Sequence, residues 1–240
     1  MKLQNKVALV TGGNSGIGLA TAKLFKEQGA QVIITARSND TFEKAKTEYG
    51  SHFDVVQADV SKAGDLDKLY AHIKNKYGKL DVLFANAGIA KMVPTTEETY
   101  EGFDEQFNTN VKGLYFTVQK ALPILAKGSS VVLTASVVGI KGFAGSATKA
   151  AVRSFARTWT AEIPVDQVRF NVLSPGPIET PIFDKMGMKD EHRAHLSSSL
   201  PIKRLGKSEE MAKAALFLAS DDSSYVVGAD LFADGGFGQI

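Results

Sequence analysis

The stretch with the most chemical content starts where the first apolar run ends. Val7–Val10 lead directly into Thr11-Gly12-Gly13-Asn14-Ser15-Gly16-Ile17-Gly18, and an amphipathic segment follows. Gly12 permits a tight turn, Gly16 lets backbone approach a pyrophosphate, and Gly18 permits close packing of helix against strand. The helix that opens here offers unpaired N–H groups and the positive end of its dipole to phosphate, with Asn14, Ser15 and Ile17 completing the cradle. The spacing is G-x-x-x-G-x-G rather than the commoner G-x-G-x-x-G, so glycine content alone would describe any tight strand-to-helix turn. Its place between an apolar strand and an amphipathic helix favours a dinucleotide.

Other candidate groups stand at the ends of later strand-like runs. The second run ends in Thr35-Ala36-Arg37-Ser38. An acid at this point would accept hydrogen bonds from the ribose hydroxyls of NAD. Here Ala36 takes the acid's place, and the guanidinium of Arg37 suits a 2′-phosphate. NADP(H) is therefore favoured, with NAD(H) possible and a solvated surface arginine the plain alternative. Asp59 and Val60 follow the third run; Ser61 and Asp65 lie close enough for Asp59 to serve as an ordinary turn acid as well. Asn86-Ala87-Gly88 ends the fourth run, where small residues allow a cofactor to approach the backbone. Ser136 ends the fifth, and Lys149 opens a helical stretch thirteen residues later.

Positioning these groups at one edge requires a particular architecture. Short β-branched runs (7–10, 32–35, 54–57, 82–85, 131–134, 168–173 and 230–233) alternate with helical patterns (16–28, 41–49, 66–77, 103–125, 147–163 and 209–218). That alternation predicts a parallel sheet covered by helices, with strands apolar on both faces. Pro123 is expected to kink or end the long fourth helix, and Ser208 to cap the last one, with Glu209 and Glu210 in its first turn. Residues 181–207 are the least regular and fit either a substrate lid or a surface loop. No repeat or linker divides the 240 residues, so one domain over 1–240 is expected.

Composition narrows the function classes. Hydrophobic content of 44% with 22% charged residues is that of a soluble globular protein. A net charge of +2 gives no electrostatic case for nucleic acid or a membrane surface. There is no cysteine, which excludes disulfides, thiolate metal sites and a cysteine nucleophile; no metal site is expected. The N-terminal apolar run is too short for a signal peptide or a membrane span, so a cytoplasmic location is expected.

TGGNSGIG, Asn86-Ala87-Gly88, Asn110 within FNTNVKG, Ser136, Lys149 within SATKAAV, and Pro175-Gly176 within LSPGPIET together resemble the single-domain short-chain dehydrogenase/reductase family. The resemblance covers essentially the whole chain, with its motifs in order. It implies a doubly wound α/β Rossmann fold: a seven-stranded, mostly parallel sheet with helices on both faces and nicotinamide chemistry at its C-terminal edge. By the same resemblance Asp59 contacts adenine with Val60 flanking the ring, and Pro175, Gly176, Ile178 and Thr180 line the cofactor. Ser136 orients a carbonyl, Lys149 tunes the acid and holds the nicotinamide ribose, and Asn110 supports a proton-relay water or simply stabilises its own helix. The implied activity is hydride transfer between nicotinamide and a small ketone or secondary alcohol. The implied assembly is a homotetramer with two-fold axes. Apolar Leu114, Phe116, Val118, Val152, Phe155 and Trp159 are expected to lie partly between subunits, and Val226–Phe237 to supply a second interface.

One departure touches the reaction centre. In the family a Tyr-x-x-x-Lys pair puts phenol and ammonium on one helix face, so the positive charge makes the phenolate accessible near neutrality. Here Gly145 stands four residues before Lys149, and the Ser136–Lys149 interval is about four residues short of the family's. A segment ending in tyrosine is thus absent between Gly145 and Ser146. Two readings stay open: the active protein contains that segment, or the deletion is genuine and leaves a catalytically silent dinucleotide-binding protein. Val137, Val138, Phe143 and the 181–200 segment, including Ile182, Phe183 and Met186, are the candidate substrate walls, and their apolar character is common to small-molecule pockets.

Overall fold

The structure is a computed structural model and describes residues 1–91, 93–141 and 146–238. Gly145, where the tyrosine is missed, and Phe143 lie outside the described residues. Seven parallel strands form the main sheet: β1 (Val7–Val10), β2 (Gln31–Ala36), β3 (Asp54–Gln57), β4 (Leu80–Ala85), β5 (Leu125–Thr134), β6 (Val168–Pro175) and, last in the chain, Asp230–Ala233. Two short strands, β7 (Ile178–Glu179) and β8 (Gly206–Lys207), pair separately, so the C-terminal strand is β9. The order β3-β2-β1-β4-β5-β6-β9 reverses direction between β1 and β4. Open α/β sheets bind their ligands in the crevice that such a reversal leaves at the strands' carboxyl ends.

Every residue of β1, β4 and β6 is buried, as expected for parallel strands covered on both faces. Strand alternation divides the core between the faces. Val7 and Leu9 join Leu69 and Ile73 of α3 (Ala63–Tyr77), Val118 of α5 (Leu114–Ala121), and Val152 and Trp159 of α7 (Ser146–Glu162). Ala8 and Val10 join Ala22 and Phe25 of α1 (Gly16–Glu27), and Ala215 and Leu218 of α10 (Ser208–Ala219). α2 (Asn39–Tyr49) follows β2.

Three sequence expectations change. The helix foreseen over 103–125 is α4 (Tyr100–Phe107), a π-helical turn over Asn108–Gly113, α5, and a 3₁₀ turn over Leu122–Ile124. Pro123 ends it as expected, but Leu125 already belongs to β5, because leucine and alanine there fit an apolar helix or a strand equally well. Residues 181–207 are mostly helical, with α8 (Pro181–Lys185) and α9 (Asp190–Ser199); α6 is the short Val138–Lys141. Ser208 is the first residue of α10 rather than its cap: the Lys207 N–H donates to Glu210 Oε2 at 2.8 Å, so the acid satisfies the helix start.

The proposed interface residues also divide. Leu114, Val118, Val152 and Trp159 are buried within the single chain, because α5 and α7 pack on each other as well as on the sheet. Tyr115 lies edge-on to Phe155 at 5.3 Å, and Phe155 stacks on Trp159 at 5.4 Å. Phe116 and Phe155 are only partly covered. Among the described residues no helix is long and apolar enough to cross a membrane.

Candidate active site

The Gly12–Gly18 loop forms at the carboxyl end of β1, and its glycines are required by position. Gly12 and Gly16 have φ of 64° and 51°, a left-handed conformation that costs other residues energy. A methyl on Gly18 would sit 2.3 Å from the Gly12 carbonyl oxygen and 2.7 Å from Asn86 Nδ2, and one on Gly13 2.7 Å from Ile34. Ser15 precedes α1 in extended conformation without making a side-chain cap, and no acid lies in the first turn. The N-terminal amides of this twelve-residue helix therefore face the loop without a protein carboxylate, which fits a pyrophosphate. Gly18→Ala should lower stability by about 1–3 kcal/mol, since backbone must yield, and weaken dinucleotide binding more than tenfold. Thermal unfolding and a dinucleotide titration check this; unaltered affinity would show that the loop is not the seat.

Two threonines that sequence reasoning passed over hold the loop in place. Thr11 Oγ1 accepts from the N–H groups of Asn86 and Ala87, both at 3.0 Å, and Thr35 Oγ1 accepts from Gly12 N–H at 3.1 Å. Asn86 Nδ2 returns a hydrogen bond to the Thr11 carbonyl at 3.1 Å. Hydroxyl residues ending otherwise apolar strands were the available signal. Thr180 also reaches this region: its Cγ2 lies 3.4 Å from where a Gly16 methyl would stand. Gly176 N–H donates to the Ala233 carbonyl, while Ile178 is buried and paired with Gly206.

Arg37 is exposed just beyond β2, and Ala36 beneath it is buried. Ser38 is engaged locally, its hydroxyl accepting from Thr41 N–H at 3.3 Å to cap α2. Asp59 does act as a turn acid: Oδ1 accepts from the Ser61 N–H at 3.0 Å and the Ser61 hydroxyl at 2.7 Å. Val60 is buried against Gly113 of the π-helical turn.

That turn carries Asn110. Its side chain is buried, Oδ1 accepting from Ile89 N–H and Nδ2 donating to the Ile89 carbonyl, both at 2.9 Å, while Nδ2 also donates to Thr148 Oγ1 of α7 at 3.4 Å. Gly88 lies over it, and a methyl there would be 3.1 Å from Asn110 Oδ1 and 3.6 Å from Lys149 Nζ. Lys149 Nζ donates to the Thr134 carbonyl at 3.0 Å. Although the residue keeps some exposed surface, its ammonium is enclosed, and burial pulls its pKa down to about 8. Ser136 lies two residues beyond Thr134. Its Oγ accepts from Val138 N–H at 3.3 Å, leaving the hydroxyl proton free to donate.

No tyrosine joins this group. Tyr70 donates to the Thr117 carbonyl, Tyr77 bonds Asp54, and Tyr115 sits in the aromatic cluster. Tyr49 lies under Lys23, and Tyr100 and Tyr225 are 89% and 100% exposed. Among the expected substrate walls Val137 and Phe183 are buried, and Val138, Ile182 and Met186 partly so. A cavity of about 400 Å³ lies between Leu200, Met211 and Phe232; of the expected substrate segment it takes Leu200, and of the expected cofactor residues Ile178. Among the described residues no cluster of three His, Asp or Glu could hold a metal.

Residues 12–238 match the family model described as enoyl-(acyl carrier protein) reductase. An oxidoreductase of Sarocladium schorii is 40% identical over 245 residues, covering 100% of this chain and 98% of that protein. That span exceeds the 240 residues here, so the relative carries at least five residues without a counterpart. The 3-oxoacyl-[acyl-carrier-protein] reductase of Thermotoga maritima is 38% identical, covering 98% of this chain and 99% of its own. A crystal structure of a glucose/ribitol dehydrogenase from Brucella melitensis superposes with a TM-score of 0.91 at 30% identity, covering 98% and 97% of the two chains.

Proposed function

This chain belongs to the short-chain dehydrogenase/reductase family of NAD(P)-dependent oxidoreductases acting on CH–OH groups, and we propose that it binds NADP(H) and interconverts a ketone and a secondary alcohol. The observation that carries this reading is the convergence at one sheet edge of the Gly12–Gly18 loop, Asn86–Gly88, Asn110 and Lys149. When bound, the nicotinamide supplies or accepts the hydride. The α1 amides and the loop glycines hold the pyrophosphate, and Arg37 pairs with the 2′-phosphate. Asn110 fixes the Asn86–Ile89 segment, so the floor under the nicotinamide keeps its shape. Lys149 holds the ribose, and the free Ser136 hydroxyl proton donates to the carbonyl oxygen and orients it. Turnover of an NADPH-dependent ketone panel tests the reading; no oxidation of NADPH with any activated ketone would defeat the catalytic part.

A second reading, a dinucleotide-binding protein without turnover, is favoured by the absence of any tyrosine beside Lys149 and Ser136 among the described residues. The two separate cleanly, because both require NADP(H) binding and only the first requires reduction.

Arg37→Ala should weaken NADPH about ten- to a hundredfold and NADH little, the loss of one charge-assisted contact of about 1.5–3 kcal/mol. Equal effects in paired titrations would show that Arg37 does not read the phosphate. For assembly we propose a homotetramer in the cytoplasm, using the partly exposed Phe116 and Phe155 on one side and the C-terminal segment Val226–Phe237 on another. Light scattering should give close to four times the 25.7 kDa chain mass; a monomer at micromolar concentration would refute it.

A further inference from the structure

α7 carries a second buried cation, one turn beyond Lys149 and on the same helix face. Arg153 is 8% exposed, and its Nη2 donates to the Ser136 carbonyl at 2.6 Å and lies 3.4 Å from Ser174 Oγ. Its Nε lies 2.5 Å from Asp230 Oδ2 as an ion pair without an aligned hydrogen bond. The Ser174 hydroxyl donates to the other oxygen, Asp230 Oδ1, at 2.6 Å. The guanidinium also lies over the Phe232 ring at 5.3 Å. Gly139 leaves room for it, since a methyl there would stand 3.0 Å from Nη1. One side chain thus joins α7, the segment after β5, β6 and β9.

We propose that Arg153 is a positioning residue for the active site, locking the Ser136 end of β5 to the helix that carries Lys149. The proposal rests on the reading of Ser136 and Lys149 as site residues. Stability alone does not account for the arrangement, because a buried ion pair is commonly no better than apolar residues of the same size. A carbonyl is the one group on the Ser136 segment that α7 could grip without engaging the hydroxyl, and Arg153 takes that carbonyl. Two cations one turn apart therefore hold carbonyls 134 and 136, which leaves Ser136 Oγ and the enclosed ammonium fixed relative to each other.

The test is the titration of Lys149, followed by NMR of ¹³C-labelled lysine and assigned with Lys149→Met. In Arg153→Met combined with Asp230→Asn, which leaves no unpaired buried charge, the segment after β5 loosens and water reaches the ammonium. The Lys149 midpoint should then rise by more than about one pH unit toward the ordinary lysine value near 10.4. Arg153→Lys keeps the charge opposite Asp230 but cannot span Ser136 and Ser174 at once, so it should shift the midpoint in the same direction. A parent-like Lys149 midpoint in either cooperatively folded variant would overturn the proposal, since a merely structural arginine would change the melting temperature alone. Dinucleotide affinity of the parent is measured alongside. Its absence would defeat the functional reading, while the titration would still test Arg153 independently.

Discussion

A chain in which four residues ending in tyrosine are inserted between Gly145 and Ser146 should reduce ketones at least about a hundredfold faster than the present chain at saturating NADPH, the usual contribution of a positioned general acid being about 10²–10⁴. The insertion places the phenol four residues before Lys149 and hence on its helix face. The ammonium then faces a group whose ordinary pKa is about 10 and stabilises its phenolate. None of the chain's own six tyrosines can take this part, because they are bonded, stacked or exposed elsewhere. NADP(H) binding should change little, because the phosphate loop and Lys149 are already in place. The comparison is turnover of the two chains with one activated ketone. Equal rates would mean that the proton comes from another group and that the tyrosine has no part in the reaction centre.

Lys149→Met should separate stability from function. Its ammonium titrates at about 8 in the folded chain against 10.5 unperturbed. Between those values the unfolded chain binds more protons, so the Lys149 contribution makes stability rise with pH from about 8 to 10.5. Below 8 both states are protonated, and the cost of enclosing the charge is fully present and constant. That cost is at most about 3 kcal/mol from a shift of this size, less where solvent reaches the ammonium. Without cofactor, Lys149→Met should therefore be as stable as the parent or more so at pH 7, with the difference shrinking towards pH 10.5. Its affinity for NADP(H) should fall, because the ribose loses its ammonium. Melting curves of the two proteins across this range, read as a difference so that other titrating groups cancel, decide the point. A variant less stable at pH 7 would show that the Thr134 hydrogen bond outweighs desolvation.

The sheet and its order of elements could be read from the chain because their causes are local. Runs such as VALV and VII have no polar face to expose, which only a strand covered on both sides satisfies. The Gly12, Gly16 and Gly18 spacing was equally legible, since each glycine answers a backbone demand that no other residue meets. Boundaries failed where residue type was ambiguous. Leu125 and Ala126 suit helix or strand, and pairing of Leu80 with Leu125 across the sheet decided for the strand. The missing tyrosine was visible in the spacing alone. By contrast, the service that Thr11, Thr35 and Arg153 perform for the site had no signal in the sequence beyond their residue type. A buried hydroxyl or guanidinium seeks whichever partners the packed chain brings within about 3 Å, and those partners stand up to 77 residues away, as with Arg153 and Asp230. Asn110 shows both sides: its presence could be read from the chain, but only the packed π-helical turn determined that its amide would join Ile89 and Thr148. Backbone preference and hydrophobic pattern act over a few residues and are written in sequence; satisfaction of buried polar groups acts across the fold and is settled only when the elements pack.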